Sequence, residues 1–488
     1  MSRATALLFS SLDTITRPCL RPVLCLLLAL ALAACPAGAQ DARRVPESRE
    51  LIQLSFAPVV RQVAPALVNI TSRRQPREAD SPFAGDPLFR FFFRDFGALP
   101  SPQRRAQQSL GSGVIVRTDG LIVTNRHVIE GADEIDVVLN DRRSFAARVL
   151  SSDDRTDLAF LRLEDAPGRL PIVELGDSDR IEVGDLVLAI GNPFGIGQSV
   201  TSGIVSALAR TAPQLERDVS FIQTDASINP GNSGGALVGM DGRLIGINTA
   251  IFTRSGGSVG IGFAIPANLV RARMQALDGG RPGATIQRPW LGAEAQTVDA
   301  RLAQNLGLDR PQGVLLTRVH PAGAAARADL RRGDVVLEID GSEVIDPASL
   351  NYRLALKPIG DRVGARYWRQ GQLATVRIPL EPAPAEPPPD VTRLGGRHPL
   401  AGLTVANLSP GFNEEIGLNP FETGVVVFEV QPGSPASYLR LRPRDVLVAV
   451  NEREVQSVVE LDRPFRGTQL ASLTVRREGR TFVLSLRG

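Results

Sequence analysis

IQTDASINPGNSGGALV, residues 222–238, sets a serine inside a glycine-rich turn between two strand-like runs. The fragment Asn229 to Gly235 (NPGNSGG) follows the strand-like Phe221 to Thr224, and its glycines let the backbone bend sharply with little side-chain obstruction. Such a turn exposes the Ser233 hydroxyl. It also gathers backbone amides across Gly231, Asn232 and Ser233, with those of Gly231 and Ser233 aimed at one point, as an oxyanion hole requires. Taken alone, the same turn equally suits an ordinary β-turn serine.

A serine is a weak nucleophile without a base. The β-rich region from Ser109 to Ile265 holds a single histidine, His127, in TNRHV (124–128), at the end of a strand-like run where a ring could face a cleft. The base in turn needs a carboxylate to fix its tautomer and stabilise the imidazolium. Asp157, in RTDLA (155–159), opens an apolar strand and can be buried beside His127. Asp153 and Asp154 compete for that role and read as solvated loop charges. The chain order His127, Asp157, Ser233 is that of chymotrypsin-type folds, with the first two residues on one half of a β-domain and the serine on the other.

Around these residues, short apolar runs alternate with turn signals: GSGVIV, GLIVTN, EIDVVL, DLAFLRL, DLVLAIG, GIVSAL and ALVGMDGRLIGINTAI. That rhythm predicts an all-β barrel or double barrel. Upstream, Glu47 to Ala66 carries helix-like spacing broken by Pro58 and Pro65 and leads into the strand-like Leu67 to Ile70. From Arg73 to Gln108 the composition shifts to Pro, Arg and Phe, with Phe83, Phe89, Phe91, Phe92, Phe93 and Phe96 clustered in one long loop. Loops of that length are usually functional or mobile. A helix-like segment, Ala267 to Leu277, then leads through a Gly/Pro-rich link into a new unit.

The C-terminal third repeats itself. Gly313 to Gly341 aligns with Gly424 to Glu452 at a constant offset of 111 residues, matching Val319/Val430, Pro321/Pro432, Asp334/Asp445 and Val335/Val446. Between the copies, EPAPAEPPPD (381–390) holds five prolines and reads as a stiff spacer outside any core. The expected organisation is a leader at 1–39, a β-domain at 47–278, one module at 284–381, a Pro-rich link at 382–396 and a second module at 397–488.

Composition narrows the class. Of 488 residues, 43% are hydrophobic and 22% charged, the balance of a soluble globular protein of several domains. The net charge of +3 is small for this length and no basic run interleaves with aromatics, so nucleic acid is not an expected partner. Arg3, Arg17 and Arg21 precede the apolar run Pro22 to Ala34, which reads as an export signal. Two processing sites compete. Ala37-Gly38-Ala39 fits signal peptidase, while Leu32 to Cys35 resembles a lipoprotein signal that would anchor the chain to the inner membrane through Cys35. Pro36 favours the former. The three cysteines, Cys19, Cys25 and Cys35, all lie in or beside the leader, so the exported chain has no disulfide and no thiolate metal site.

The motifs TNRHVIEGADEI, DRTDLAFL, IQTDASINPGNSGGALV, LIGINTAI and GIGFAIP resemble those of the HtrA/Deg family of envelope serine proteases, and the repeats resemble its two PDZ domains. The resemblance runs from about residue 50 to the end. It implies a mainly β protein, a chymotrypsin-like double β-barrel followed by two α+β PDZ domains. His127 is then the general base, Asp157 its orienter and Ser233 the nucleophile. Gly260, Ile261, Gly262, Phe263, Ala264 and Ile265 resemble the strand lining the primary pocket, and their lack of charge argues for small or apolar side chains at the cleavage position.

In the first module Trp290, Leu291, Gly292 and Ala293 stand at the carboxylate-binding loop, with Ala401-Gly402-Leu403 at the same place in the second. Arg444 replaces the glycine found at Gly333, which makes the first module the better candidate binder. The resemblance further implies unfolded-protein and C-terminal-peptide ligands, a trimer or multiple of trimers, a periplasmic location, and a phenylalanine cluster reaching into a neighbouring cleft. The glycine clusters at 191–197 and 256–262 lack a Walker-type lysine, so no nucleotide or other cofactor is expected. Two other functions stay open: a holdase-type binding protein, and a regulator cleaving one dedicated membrane protein.

Overall fold

The computed structural model describes residues 55–74, 107–166, 168–192, 197–210, 219–229, 231–251, 260–279, 287–396, 398–462 and 472–485. The expected leader and the phenylalanine cluster from Phe83 to Phe96 lie outside the described residues.

A short helix, α1 (Ala57–Val63), feeds β1 (Leu67–Arg74). Then come β2 (Gln107–Arg117), β3 (Leu121–Asn125), the single helical turn α2 (Arg126–Ile129), β4 (Glu134–Val138), β5 (Ser144–Asp153) and β6 (Leu158–Leu163). These strands close a barrel in the order β1-β2-β3-β6-β5-β4. A second barrel, β10-β11-β12-β9-β8-β7, is built from β7 (Leu186–Gly191), β8 (Ser199–Arg210), β9 (Phe221–Thr224), β10 (Ala236–Gly239), β11 (Leu244–Ile251) and β12 (Gly262–Pro266). Val, Ile and Leu dominate because closure buries one face of every strand. Phe160 of β6 and Phe221 of β9 are among the largest side chains with essentially no exposure. Of the strands, only β5 escapes the sequence pattern. Only one of its ten residues is buried, so no apolar alternation marks it.

After the helix α3 (Ala267–Gly279) come two modules of one design. The first runs β13 (Ala293–Thr297), α4 (Ala300–Leu306), β14 (Val314–Val319), α5 (Ala324–Arg327), β15 (Val335–Ile339), β16 (Ser342–Glu343), α6 (Pro347–Ala355), β17 (Arg362–Arg369) and β18 (Gln372–Pro379). The second runs β19 (Thr392–Arg393), β20 (Leu403–Asn407), α7 (Pro410–Glu415), β21 (Val425–Val430), β22 (Val446–Val450), β23 (Arg453–Glu454), α8 (Val458–Asp462), β24 (Ser472–Arg477) and β25 (Arg480–Ser485).

The repeat has a physical basis in one ion pair made twice. Asp334, 1% exposed, accepts Nε and Nη2 of Arg369, each at 2.6 Å, while Asp445, also 1% exposed, accepts the same atoms of Arg477 at 2.6 and 2.7 Å. Each carboxylate also caps its own turn, through the amides of Arg331 at 2.7 Å and Arg442 at 2.8 Å. Bidentate geometry suits guanidinium and carboxylate, which accounts for the matched aspartates.

One sequence expectation needs correction here. Residues 382–396 are not a free spacer: Leu394 is 5% exposed within the core of the second module, so that module begins inside the link. Arg444 stands at the turn position that Gly333 holds in the first module. It adopts φ 75° where Gly333 has 97°, and its guanidinium donates to the Gly417 carbonyl at 2.7 Å.

The modules are docked rather than strung out. Tyr352 of α6 is 4% exposed within the barrel core cluster, and burial raises its phenol well above the ordinary value. Arg353 pairs with Asp179 at 2.8 Å beside it. Phe421 of the second module meets Trp290 and His320 of the first at ring distances of 6.1 and 5.5 Å. Burial, reinforced by Arg318, lowers the His320 imidazole below its ordinary value.

Asp334→Ala strands the Arg369 guanidinium. It should destabilise the first module by about 2 kcal/mol in denaturant titration, the low end for a buried pair because Arg369 is partly exposed. Glu343→Ala, at an exposed carboxylate whose partner Arg310 is also exposed, should cost under about 0.5 kcal/mol, and equal losses would contradict the assignment.

Candidate active site

His127 sits in α2, immediately after the buried strand β3, so its backbone is held by a barrel while its ring reaches the seam between barrels. Facing it, the turn between β5 and β6 ends at Asp157, whose φ of 59° is left-handed, a conformation that Asp tolerates better than most residues. That bend aims both ends of Asp157 at the histidine segment. Its carbonyl accepts from the Arg126 amide at 2.9 Å and from Asn125 Nδ2 at 3.2 Å. Oδ1 accepts from the His127 amide at 3.1 Å, and Oδ2 lies 2.8 Å from His127 Nδ1. The carboxylate is 1% exposed and takes a further donor, the Thr249 hydroxyl, at 2.7 Å. An ionised acceptor with three donors in a dry site is strongly oriented.

Thr249, on β11, also reaches the serine. Its carbonyl accepts from Ser233 Oγ at 3.2 Å, so one residue bridges the turn holding Ser233 to the pair Asp157–His127. In this arrangement the Ser233 proton rests on a backbone carbonyl.

The serine turn is shaped by close approach. Gly234 has φ 80°, and a Cβ there would lie 2.1 Å from the Ser112 carbonyl oxygen and 2.3 Å from Thr124 Oγ1. Only glycine fits. Ser112 of β2 clamps the same turn across the barrels: its amide donates to the Ser233 carbonyl at 2.9 Å and its hydroxyl to the Gly231 carbonyl at 2.5 Å. With those carbonyls turned inward, the amides of Gly231 and Ser233 have no internal acceptor among the described residues. Asn232 differs from expectation, because its amide is spent on the Asn229 carbonyl at 3.0 Å and is not a free donor.

The strand expected to line a pocket is β12. Gly262, Phe263 and Ala264 pair with Thr224, Gln223 and Ile222 of β9, which leads toward the serine turn. Ile265 is fully buried, Ile261 partly buried and Gly260 exposed at the strand entrance. The second expected group, Trp290 to Ala293, lies apart from this site, at the start of β13 in the first module.

Asp154 is solvated, as read from the sequence. Asp153 is not: it is 6% exposed and pairs with Arg288 and, at 3.6 Å, with Arg273. Desolvation lowers the Arg273 guanidinium to about 10, against the pull of Asp153. Thr249 and Ser112 carried no sequence signal, since a strand threonine or serine is commonplace.

A sequence profile of the trypsin-like peptidase domain matches residues 111–247 and one of the PDZ domain matches 289–380. A probable periplasmic serine endoprotease, DegP-like, of Halomonas elongata is 38% identical over 481 residues, covering 95% of this chain and 98% of that protein. The chain belongs to the HtrA/DegP-like family of serine endoproteases. Periplasmic serine endoprotease DegP of Salmonella typhimurium is 36% identical, covering 89% of this chain and 92% of its own. The solved HtrA-type protease AlgW with tripeptide is 40% identical at a TM-score of 0.51, covering 69% of this chain and 99% of that one. The HtrA-type chain is thus a serine endopeptidase with a double barrel and PDZ domains.

In an HtrA-type site, Thr249→Val removes one donor to the Asp157 carboxylate while keeping shape. That loss is worth about 1–2 kcal/mol, so kcat for peptide cleavage should fall roughly tenfold with KM little changed. An unchanged kcat would remove Thr249 from the site.

Proposed function

We propose that the chain is an ATP-independent periplasmic endopeptidase that cuts unfolded envelope proteins, with His127, Asp157 and Ser233 as its catalytic residues. The observation that carries this reading is the Thr249 bridge, which ties the Ser233 hydroxyl to the buried carboxylate holding His127. Ser233 Oγ attacks the scissile carbonyl carbon as its proton passes to His127 Nε2, and Asp157 stabilises the imidazolium so formed. The oxyanion is received by the amides of Gly231 and Ser233. The C–N bond then breaks, the amine leaves with the proton from His127, and an ester remains on Ser233. Water deprotonated by His127 hydrolyses that ester and restores the serine.

The apolar strand from Gly260 to Ile265 favours small or apolar residues at the cleavage position, since it offers no carboxylate for Arg or Lys. In the first PDZ module, Trp290, Leu291, Gly292 and Ala293 would receive substrate C-termini by strand addition. Export through a leader ending at Ala39 and assembly as a trimer or multiple of trimers belong to the same reading, which rests there on family resemblance and the periplasmic names of the relatives.

Purified parent protein should degrade casein without added nucleotide, while Ser233→Ala should lose activity by about 10⁴-fold or more. Equal slow loss of casein with both proteins would remove Ser233 from the chemistry. Suppression of casein aggregation without cleavage would favour a holdase.

A further inference from the structure

The two PDZ modules present the same loop to different surroundings. In the first, the carbonyls of Leu291 and Gly292 accept from Ala325 and His320 at 2.8 and 2.7 Å. In the second, those of Ala401 and Gly402 accept from Ala436 and Gln431 at 3.2 and 2.9 Å. The donors match at the repeat offset of 111 residues, so Gly292 and Gly402 are structural equivalents. Both are left-handed, at φ 69° and 93°.

The strands that follow these loops differ at their outer edges. β13 ends its sheet, and among the described residues no strand pairs with its outer edge and no acceptor meets the amides of Leu291 and Gly292. On β20 the outer edge is filled by the chain's own interdomain segment. Thr392 pairs with Val405 and Arg393 with Thr404, antiparallel. The Asn407 amide donates to the Pro389 carbonyl at 2.6 Å and its Nδ2 to that of Pro388 at 2.9 Å. At the other end the Leu394 amide donates to the Leu403 carbonyl at 2.8 Å. The Gly402 amide, the counterpart of the unengaged Gly292 amide, donates to the Leu394 carbonyl at 2.8 Å. The Leu394 side chain is 5% exposed and belongs to the buried cluster that also holds Leu400, Leu403, Val458 and Leu461, the last two from α8, which flanks β20.

A peptide that adds a strand to such an edge makes this set of contacts: antiparallel main-chain pairing, a terminal oxygen on the loop amide, and a last apolar side chain in the pocket between strand and helix. We propose that residues 388–394 are a built-in pseudo-ligand that occupies the peptide groove of the second PDZ module, with Leu394 as its anchor. The module is thereby closed to free C-termini, and its groove is specific for an extended chain ending in an apolar residue. Tethering to β20 within the same chain, only a few residues on, gives the segment an effective concentration on the order of millimolar, which excludes dilute competitors. The second module therefore serves to lock the interdomain segment, leaving capture of external peptides to the first module.

The test is hydrogen exchange, read by mass spectrometry, on the full chain carrying Ser233→Ala so that nothing is cut. The probe is the synthetic heptapeptide PPDVTRL, residues 388–394 with a free carboxylate. In the parent, amides of 402–407 should be protected and insensitive to the probe. In Leu394→Asp they should exchange at least about tenfold faster, with protection restored by the probe. Arg393→Cys with Thr404→Cys places cysteines at a non-hydrogen-bonded cross-strand pair, a spacing of about 4.5 Å that a disulfide can span. The pair should oxidise completely and leave 402–407 blind to the probe even if Leu394→Asp unfolds the module.

Protection at 402–407 that rises with probe in the parent would overturn the proposal. So would a cysteine pair that stays reduced, or a folded Leu394→Asp variant that ignores the probe. Exchange at 293–297 reports the first module separately, so a failure there counts only against the peptide-binding role given to it above.

Discussion

Ser112 is the hinge on which the active centre depends. Each barrel closes on itself and leaves no strand edge to pair with the other; the apolar cluster they share is non-directional, so the directional contacts at the seam are its buried hydrogen bonds. Ser112 supplies the central ones. Its amide and hydroxyl hold the carbonyls of Ser233 and Gly231, its hydroxyl also accepts the Asn192 amide at 2.8 Å, and its carbonyl accepts the Thr124 hydroxyl at 2.7 Å. By turning two carbonyls of the serine turn inward, it leaves the Gly231 and Ser233 amides facing the other way. The residue joining the barrels therefore also shapes the site between them.

The turn that presents Asp157 is held from outside the barrels as well. Asp153, at its start, pairs with Arg288 at the entry to the first PDZ module, and Arg155, two residues before Asp157, pairs with Glu414 of the second at 3.2 Å. Buried or half-buried charges of this kind contribute little net stability but fix geometry, because a displaced partner leaves a charge stranded in low dielectric. Both modules thus touch the segment that orients His127, and Tyr352 docks α6 of the first module onto the barrels.

Much of this was legible in the sequence, for identifiable reasons. Gly231, Ser233 and Gly234 form a turn whose backbone demands are written in residue type, and His127 is the single histidine of its domain, so these positions stand out. The repeat was legible because Asp334 and Asp445 recur with their flanking apolar strands, whereas their partners Arg369 and Arg477 lie beyond the aligned stretches and carried no signal. Ser112 and Thr249 were not, since their importance comes from partners 119 and 92 residues away along the chain. Asp153 read as solvated because its cationic partners arrive from α3 and from the link to the first module. Leu394 misled for a similar reason: one leucine after five prolines gives no periodicity, and only the facing β20 reveals it as core.

The most direct check on the proposed centre is covalent. A fluorophosphonate reports a serine activated by a positioned base, and peptide mapping reports which serine. Incubated with the intact protein, it should add once per chain, at Ser233, and the adduct should vanish in His127→Ala although Ser233 is still present. Labelling at another serine, or undiminished labelling of Ser233 without His127, would contradict the account.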